Sequence, residues 1–450
     1  FQEDPEMSYD PLTAPGPGEG LAHVESYWAA TAGPAPADDG QLNSGIDTDI
    51  AIIGAGYTGL SCAYYLAQRY GARPVVLEAN QPLWGCSGRN GSFAGPALGR
   101  VALREWSARW GETGARSLWD EALAAVGTVR DLIQEGGIDC DVQPDGRMRL
   151  AHAMSTVKLL EDDARVLQSF GSDCEMLSAA DIAAQHFRGN EAHAALRTTD
   201  GFCLHPMKFG YGILRMAREA GAVVYSASPV LKWTRHGDVH HLGTPAGEVR
   251  AKRIVFATNG YTNELLHPAL KARLLPVLSN IVVTRPMTEA EQAESNLVTR
   301  DSISDTRKFL NYYRRLPDGR LMLGSRGAIL ESGSAPHRER LLQIVRRKFP
   351  ALGSITVDYF WGGWVALTPD MMPHVGHAEE DASVCFALGY CGSGVTAANH
   401  AGRRLAEYLG EGRAVPVHLN QPLPRYPLAR LRRLGQFAAF QWFTMSDALT

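Results

Sequence analysis

Three glycines, Gly54, Gly56 and Gly59, interrupt the chain where an apolar run over residues 50–53 gives way to helix-like spacing from 58 to 68. Glycine costs a helix interior roughly 1 kcal/mol relative to alanine, so the cluster asks for a reason. One reason is a tight strand-to-helix turn, which needs backbone angles that glycine alone adopts freely. The other is a nucleotide cradle. There the first glycine turns the chain, the second lets a pyrophosphate approach the backbone, and the third lets helix and strand pack closely, while the helix offers unpaired N–H groups to the phosphates. A second apolar run, RPVVLEAN, carries Glu78, 19 residues beyond Gly59. At that spacing a carboxylate reaches a ribose hydroxyl, which favours the dinucleotide reading over a bare turn.

A chain of 450 residues exceeds what one hydrophobic core usually serves, so two domains are expected around that cradle. Its 45% hydrophobic and 20% charged residues are ordinary for a folded chain, and a net charge of −4 gives no reason to expect nucleic acid or an anionic membrane as partner. Seven scattered cysteines with no CxxC spacing argue against a disulfide framework or a zinc site and fit a reducing cytoplasm. Without a run of roughly 18 apolar residues or a basic start followed by an apolar core, the expectation is a soluble cytoplasmic protein acting on small molecules. The residues FQEDPE ahead of Met7 read as the scar of a cleaved tag.

Residues 7–43, rich in proline, glycine and alanine, read as an arm draped over the surface, with one helical turn at HVESYWAAT. Apolar positions three or four apart predict helix over 103–135. The stretch IDCDVQPDGRMRLAH reads as a hairpin about Pro144, Asp145 and Gly146, and residues 155–187 as helix. A helix from HPMKFGYG leads to a strand toward Val230, and EVRAKRIVFATNGYT reads as an apolar strand closing on a turn. NIVVT, KFLNYYRRL and RLMLGS suit an antiparallel sheet with a turn at Pro317, Asp318 and Gly319. A helix over 336–349 precedes VDYFWGGWVALTPDMMPHVG and SVCFALGYCGSGVTAANHAGRRLAEYLGEG, which read as strands, a glycine turn and a last helix.

Ordered segments along nearly the whole chain resemble the glycine oxidase/D-amino acid oxidase superfamily of FAD enzymes, most closely its gamma-glutamylputrescine oxidase branch. They are DIAIIGAGYTGLSCAYYLA, VVLEAN, GCSGRNGSF, IDCDVQPDGRM, LHPMKFGYGI, IVFATNGYT, YYRRLPDGRLMLGSR, ALTPDMMPHVG, LGYCGSGVTAANHAGRRLAE and the tail LPRYPLARLRRLGQFAAFQW. The resemblance implies an α/β chain with an α+β second domain. A Rossmann-like FAD-binding unit (46–135, 197–270 and 358–416) would interleave with an antiparallel-sheet substrate domain (136–196 and 271–357), between an arm (1–45) and a tail (417–450). It also implies that Gly54, Gly56, Tyr57, Thr58 and Gly59 hold the pyrophosphate, Glu78 and Ala79 the adenosine ribose, and Val230 the adenine side. Gly85, Cys86, Ser87, Arg89, Asn90 and Gly91 would follow the ribityl chain, with Ala257, Thr258, Asn259 and Gly260 also at the cofactor. Gly389, Tyr390, Gly392, Ser393, Gly394, Val395 and Thr396 would face the pyrimidine end of the flavin, where a helix N-terminus favours the negative charge of the reduced ring. The branch commonly carries histidine where this chain has Ser393, and serine bears no charge near neutral pH.

Such an enzyme moves a hydride from the carbon beside nitrogen to flavin N5, leaving an imine that water hydrolyses to a carbonyl, so no Ser-His-Asp or Cys-His grouping is required. The implied substrate is an amine or amino acid, with a gamma-glutamylated amine the branch's own, and oxygen the implied acceptor, giving hydrogen peroxide. Substrate-contact candidates are Tyr312, Tyr313, Trp361, Trp364 and Tyr390 as ring faces, and Arg89 and Arg326 as forks for a carboxylate, with Arg307 and Arg314 behind them. His205 reads as structural. A flavin-binding module with a drifted active site, a glycine, sarcosine or D-amino acid oxidase, and an NAD(P)-dependent dehydrogenase remain as alternatives.

Overall fold

The computed structural model describes residues 9–14 and 16–449. The FQEDPE segment lies outside the described residues. Residues 50–53 are wholly buried because Gly45–Ile53 is a central strand, paired in parallel with Glu248–Phe256 on one side and Val75–Leu77 on the other. Val223–Tyr225 extends this sheet beyond Val75–Leu77, and Asp381–Leu388 and His374–Ala378 extend it beyond Glu248–Phe256. The helices Tyr57–Tyr70 and Gly394–Glu411 pack against each other. Gly402 makes that approach possible: a Cβ there would lie 2.5 Å from the Thr58 carbonyl oxygen. Ser61 also donates to Asn399 across the contact, at 2.7 Å.

A second eight-stranded sheet runs Val357–Leu367, Leu275–Thr284, Leu321–Arg326, Tyr312–Arg315, Ser302–Asp305, Arg147–Leu150, Ala194–Thr198 and Cys174–Ser178. Every pairing is antiparallel except that of Ser302–Asp305 with Arg147–Leu150. The turn at Pro317–Gly319 joins its strands as the residue types require, with Gly319 at φ +81°. The division placing residue 358 onward in the nucleotide unit is not followed by the pairing. Val357–Leu367 bonds along its length to Leu275–Thr284. Together the two sheets make the mixed α/β fold expected.

Three local expectations fail for identifiable reasons. Residues 138–152 form no hairpin, because the backbone on both sides of Pro144 bonds elsewhere: the Gln143 N–H donates to Cys203 O and the Gly146 N–H to Gly201 O, both at 2.8 Å. Residues 155–187 are two helices, Val157–Ser169 and Ala179–Gln185, around the strand Cys174–Ser178. Gly171 at φ +77° ends the first, and a reciprocal capping box between Ser178 and Asp181 begins the second. The N-terminal arm is not merely superficial, since Trp28 is 1% exposed and sits in the main core. Among the described residues no helix is long and apolar enough to cross a membrane.

Candidate active site

At the end of Gly45–Ile53, Gly54 takes φ +106°, and a Cβ on it would lie 3.0 Å from the Ala257 carbonyl oxygen. A Cβ on Gly59 would lie 1.9 Å from Gly54 O, so the helix meets the turn at a distance only glycine allows. Tyr57 opens the helix and donates its N–H to Ser87 Oγ at 3.0 Å, tying the cradle to the 85–91 loop. The Glu78 carboxylate accepts from the Ala55 N–H at 2.8 Å and the Asn80 N–H at 3.0 Å, which fixes its orientation at the cradle mouth. Burial raises its pKa above the usual carboxylate range despite those donors.

The distant C-terminal glycine turn meets this cradle directly: Thr58 Oγ1 and Tyr390 OH lie 2.7 Å apart. Gly389 at φ +81°, Cys391 at +54° and Gly392 at +106° shape the turn before the helix Gly394–Glu411. Asn259 Oδ1 accepts the Gly389 N–H at 3.0 Å, joining the 257–260 turn to it. Ser393 Oγ donates to Tyr390 O at 2.8 Å and accepts the Gly99 N–H at 3.0 Å. Ser393 therefore braces two loops.

Between the two turns runs one cavity of about 710 Å³, bounded by both sheets. Gly54, Gly56, Tyr57, Thr58, Glu78 and Ala79 line it, as do Gly85, Cys86, Ser87, Arg89, Asn90 and Gly91. Val230, Ala257, Thr258, Asn259 and Gly260 form a further part of the wall, and Tyr390, Gly392, Ser393, Gly394 and Val395 another. Gly59, Gly389 and Thr396 stand behind it, the last donating to Gly95 O at 2.9 Å. A long cavity with a side-chain-free cradle at the start of one helix and a second glycine turn at the start of another suits an elongated flavin nucleotide.

Of the substrate candidates, Arg89, Tyr312, Arg326 and Tyr390 reach this cavity. Arg89 stacks 4.1 Å above the Trp84 ring and donates Nε–H to Trp84 O at 2.8 Å, with Nη2 buried and unpartnered. Tyr312 bonds Ser279 Oγ at 3.0 Å through its hydroxyl, and burial pushes its pKa up to about 12. Tyr313, Trp361 and Trp364 do not line the cavity, correcting the expectation. Successive strand residues point to opposite faces, so Tyr312 faces in while Tyr313 packs edge-on to Phe349 at 5.7 Å. Trp361 packs against Trp28 and donates to Arg89 O at 2.9 Å, and Trp364 lies fully buried beneath Arg433. Arg307 is held by Asp305 and Glu191, each at 2.8 Å, and Arg314 donates to Leu204 O at 2.9 Å, and neither lines the cavity. His205 caps a helix, accepting the Lys208 N–H at 3.2 Å.

Arg100, which sequence reasoning passed over, also lines the cavity near Arg326. Among the described residues neither guanidinium has a carboxylate partner. Burial and the Arg100 charge hold Arg326 below the ordinary arginine range. Among the described residues the wall carries no histidine, lysine or aspartate, and its glutamates are Glu78 and Glu19.

Residues 49–408 match the family described as FAD dependent oxidoreductase. The chain belongs to that family. This FAD-dependent oxidoreductase is 32% identical over 418 residues to the gamma-glutamylputrescine oxidoreductase of Escherichia coli, covering 92% of this chain and 95% of that one. It is 24% identical over 378 residues to the glycine oxidase of Bacillus subtilis, covering 80% and 92%. Its fold matches the crystal structure of glycine oxidase from Geobacillus kaustophilus with a TM-score of 0.70 at 19% identity, over 84% of this chain and 99% of that one. With the L-proline dehydrogenase of P. horikoshii the TM-score is 0.69, also at 19% identity, over 85% and 98%.

Proposed function

We propose that this FAD-dependent oxidoreductase oxidises a carbon–nitrogen bond in an amine that also carries a carboxylate, with gamma-glutamylated amines as the substrate class. The observation that carries this reading is the pair Arg100 and Arg326, two guanidiniums at the cavity wall with no carboxylate partner among the described residues. Placing like charges together without an acid is unfavourable unless an anion arrives between them, and a guanidinium offers a carboxylate two parallel donors. The E. coli relative, whose name specifies a gamma-glutamylated amine, agrees with that chemistry.

The glycine cradle and Glu78 would hold the pyrophosphate and ribose of FAD, and the turn at 389–394 the far end of its ring. FAD, when bound, accepts the two electrons that leave the carbon–nitrogen bond, and in this reading passes them to oxygen with formation of hydrogen peroxide. The protein's own part is to orient the carboxylate and exclude competing water. Tyr312, pushed up to about 12, and Cys391, also raised by burial, keep their protons near neutrality. Among the described residues no wall residue near the arginines is thus suited to take a proton from an ammonium, so in this reading the amine binds neutral. Water then converts the imine to an aldehyde and ammonia.

The test is anaerobic mixing of the yellow protein with gamma-glutamyl amines, the corresponding free diamines, N-methyl amino acids and D-amino acids. Bleaching by the gamma-glutamyl amines at least about a hundredfold faster than by free diamines is expected, a ratio equal to two tenfold steps of about 1.4 kcal/mol each. Equal bleaching by the free diamines would remove the carboxylate from the reading.

A further inference from the structure

The segment before residue 49 lies outside the family match, yet Gly16, Pro17, Gly18 and Glu19 form part of the cavity wall that also includes Glu78 and Val230. Among the described residues, five hydrogen bonds tie residues 17–28 to the loops at 78–80 and 84–91. The Gly20 N–H donates to Ala79 O at 2.9 Å, the Leu21 N–H to Asn80 Oδ1 at 2.8 Å, and Asn80 Nδ2 donates back to Pro17 O at 3.1 Å. Trp84 Nε1 donates to Ala22 O at 2.8 Å, and Trp28 Nε1 to Asn90 O at 2.9 Å. The arm therefore spans two cavity-lining loops, the one after Val75–Leu77 and the one at 84–91. Trp28 anchors its far end in the core.

We propose that residues 16–28 belong to the cofactor site, closing over the adenosine half of FAD and retarding its release. The arm supplies a wall that the family-matched part of the chain does not, at the end where Glu78 meets the ribose. To let the adenosine out along this side, the arm must lift from Ala79 and Asn80, breaking bonds that act together because one short segment makes them all. Gly20 sits at φ +66°, an angle proline cannot take, and its N–H is one of the fastenings. The inference rests on the assignment of Glu78 to the ribose.

Two variants test it, Gly20→Pro and a chain lacking residues 1–22, which keeps Trp28. FAD release is followed by flavin fluorescence after dilution into trapping conditions, and the thermal midpoint of the flavin-stripped protein is measured alongside. Release about tenfold faster or more, with the stripped midpoint unchanged, is expected for both. Release within twofold of the full chain in the deletion variant overturns the proposal, as does a stripped midpoint that falls in step with retention, since the arm would then only stabilise the fold. If the deletion variant does not fold, Gly20→Pro decides. Cleavage by a glutamate-specific protease at Glu19 or Glu25 reports whether the arm has lifted, and unchanged release from a lifted arm, or a Gly20→Pro arm that never lifts and releases no faster, overturns it equally. An unaltered chain that takes up no FAD would refute the flavin site itself, an outcome distinct from a deletion variant that stays yellow.

Discussion

Arg326 and Arg100 carry the substrate reading, and each is open to replacement by methionine, which keeps the stem and removes the charge. A hydrogen bond to a charged group contributes about 1.5–3 kcal/mol, so each single variant should raise KM for a gamma-glutamyl amine by roughly tenfold to a hundredfold. Turnover at saturation should change less, because the carboxylate lies away from the bond being oxidised. For a free diamine both variants should leave KM unchanged or lower it, since two cations no longer repel an amine. Steady-state kinetics with the two substrate types separate these outcomes. The bare wall gives a second expectation: with no histidine or lysine lining the cavity among the described residues, kcat/KM should climb with pH toward the substrate amine's own pKa, without an enzyme group titrating near 6.5. A plateau beginning near that value, independent of which amine is used, would reveal a base that the cavity wall does not contain.

At the level of elements, the tight junction between Gly45–Ile53 and Tyr57–Tyr70 makes Gly59→Ala the informative change. Its new Cβ would meet a backbone oxygen at 1.9 Å, so helix or turn must shift, and overpacking of this kind costs about 1–3 kcal/mol. The variant should emerge from purification with much less bound FAD and a lower thermal midpoint, read from the ratio of flavin to protein absorbance and from melting. Gly127→Ala, in a helix where nothing lies within 4 Å of the added carbon, serves as control and should stabilise by about 0.5–1 kcal/mol. The glycine turn was legible in the chain because its geometry is local: the positive φ of Gly54 and the close approach at Gly59 follow from the spacing of the glycines between strand and helix. Strand alternation was legible too, but which of Tyr312 and Tyr313 faces the cavity depends on a register set by Leu321–Arg326 and Ser302–Asp305, strands distant or turned back in sequence. Arg100 left no signal at all, since either arginine of ALGRVALRE looks like any solvated arginine until the fold brings Arg100 toward Arg326. The false hairpin at 138–152 has the same origin, a good turn sequence whose strand pairs with Ala194–Thr198.

Across the whole molecule, the buried histidines set how the protein meets acid. Burial together with the Arg89 charge lowers His23 to about 4, burial with the Lys208 charge lowers His205 to about 3, and burial with His240 lowers His267 to about 4. Each therefore stays neutral in the folded chain while its unfolded counterpart, near 6.5, takes up a proton first. Stability is fully present above about pH 6.5 and is lost as pH falls from there toward 3 to 4, with a slope of about 1.4 kcal/mol per pH unit for each histidine. Glu121, lowered to about 2 with His400 and Arg404 as its hydrogen-bond partners, and Glu291, lowered to about 2 by Arg285, contribute with the opposite charge but the same direction. Their share is present above about pH 4.5 and disappears as pH falls toward 2. Unfolding by denaturant at several pH values should thus show stability falling well before the carboxylates begin to titrate. His205→Asn isolates one contributor, because asparagine can still accept the Lys208 N–H as a helix cap but binds no proton in this range. Its stability should fall less steeply than the parent's between about pH 6 and 4.5, by the equivalent of one proton. Parallel curves for parent and variant would mean that His205 is protonated inside the folded protein, and that its contacts with Thr31 and Lys208 rearrange to admit the charge.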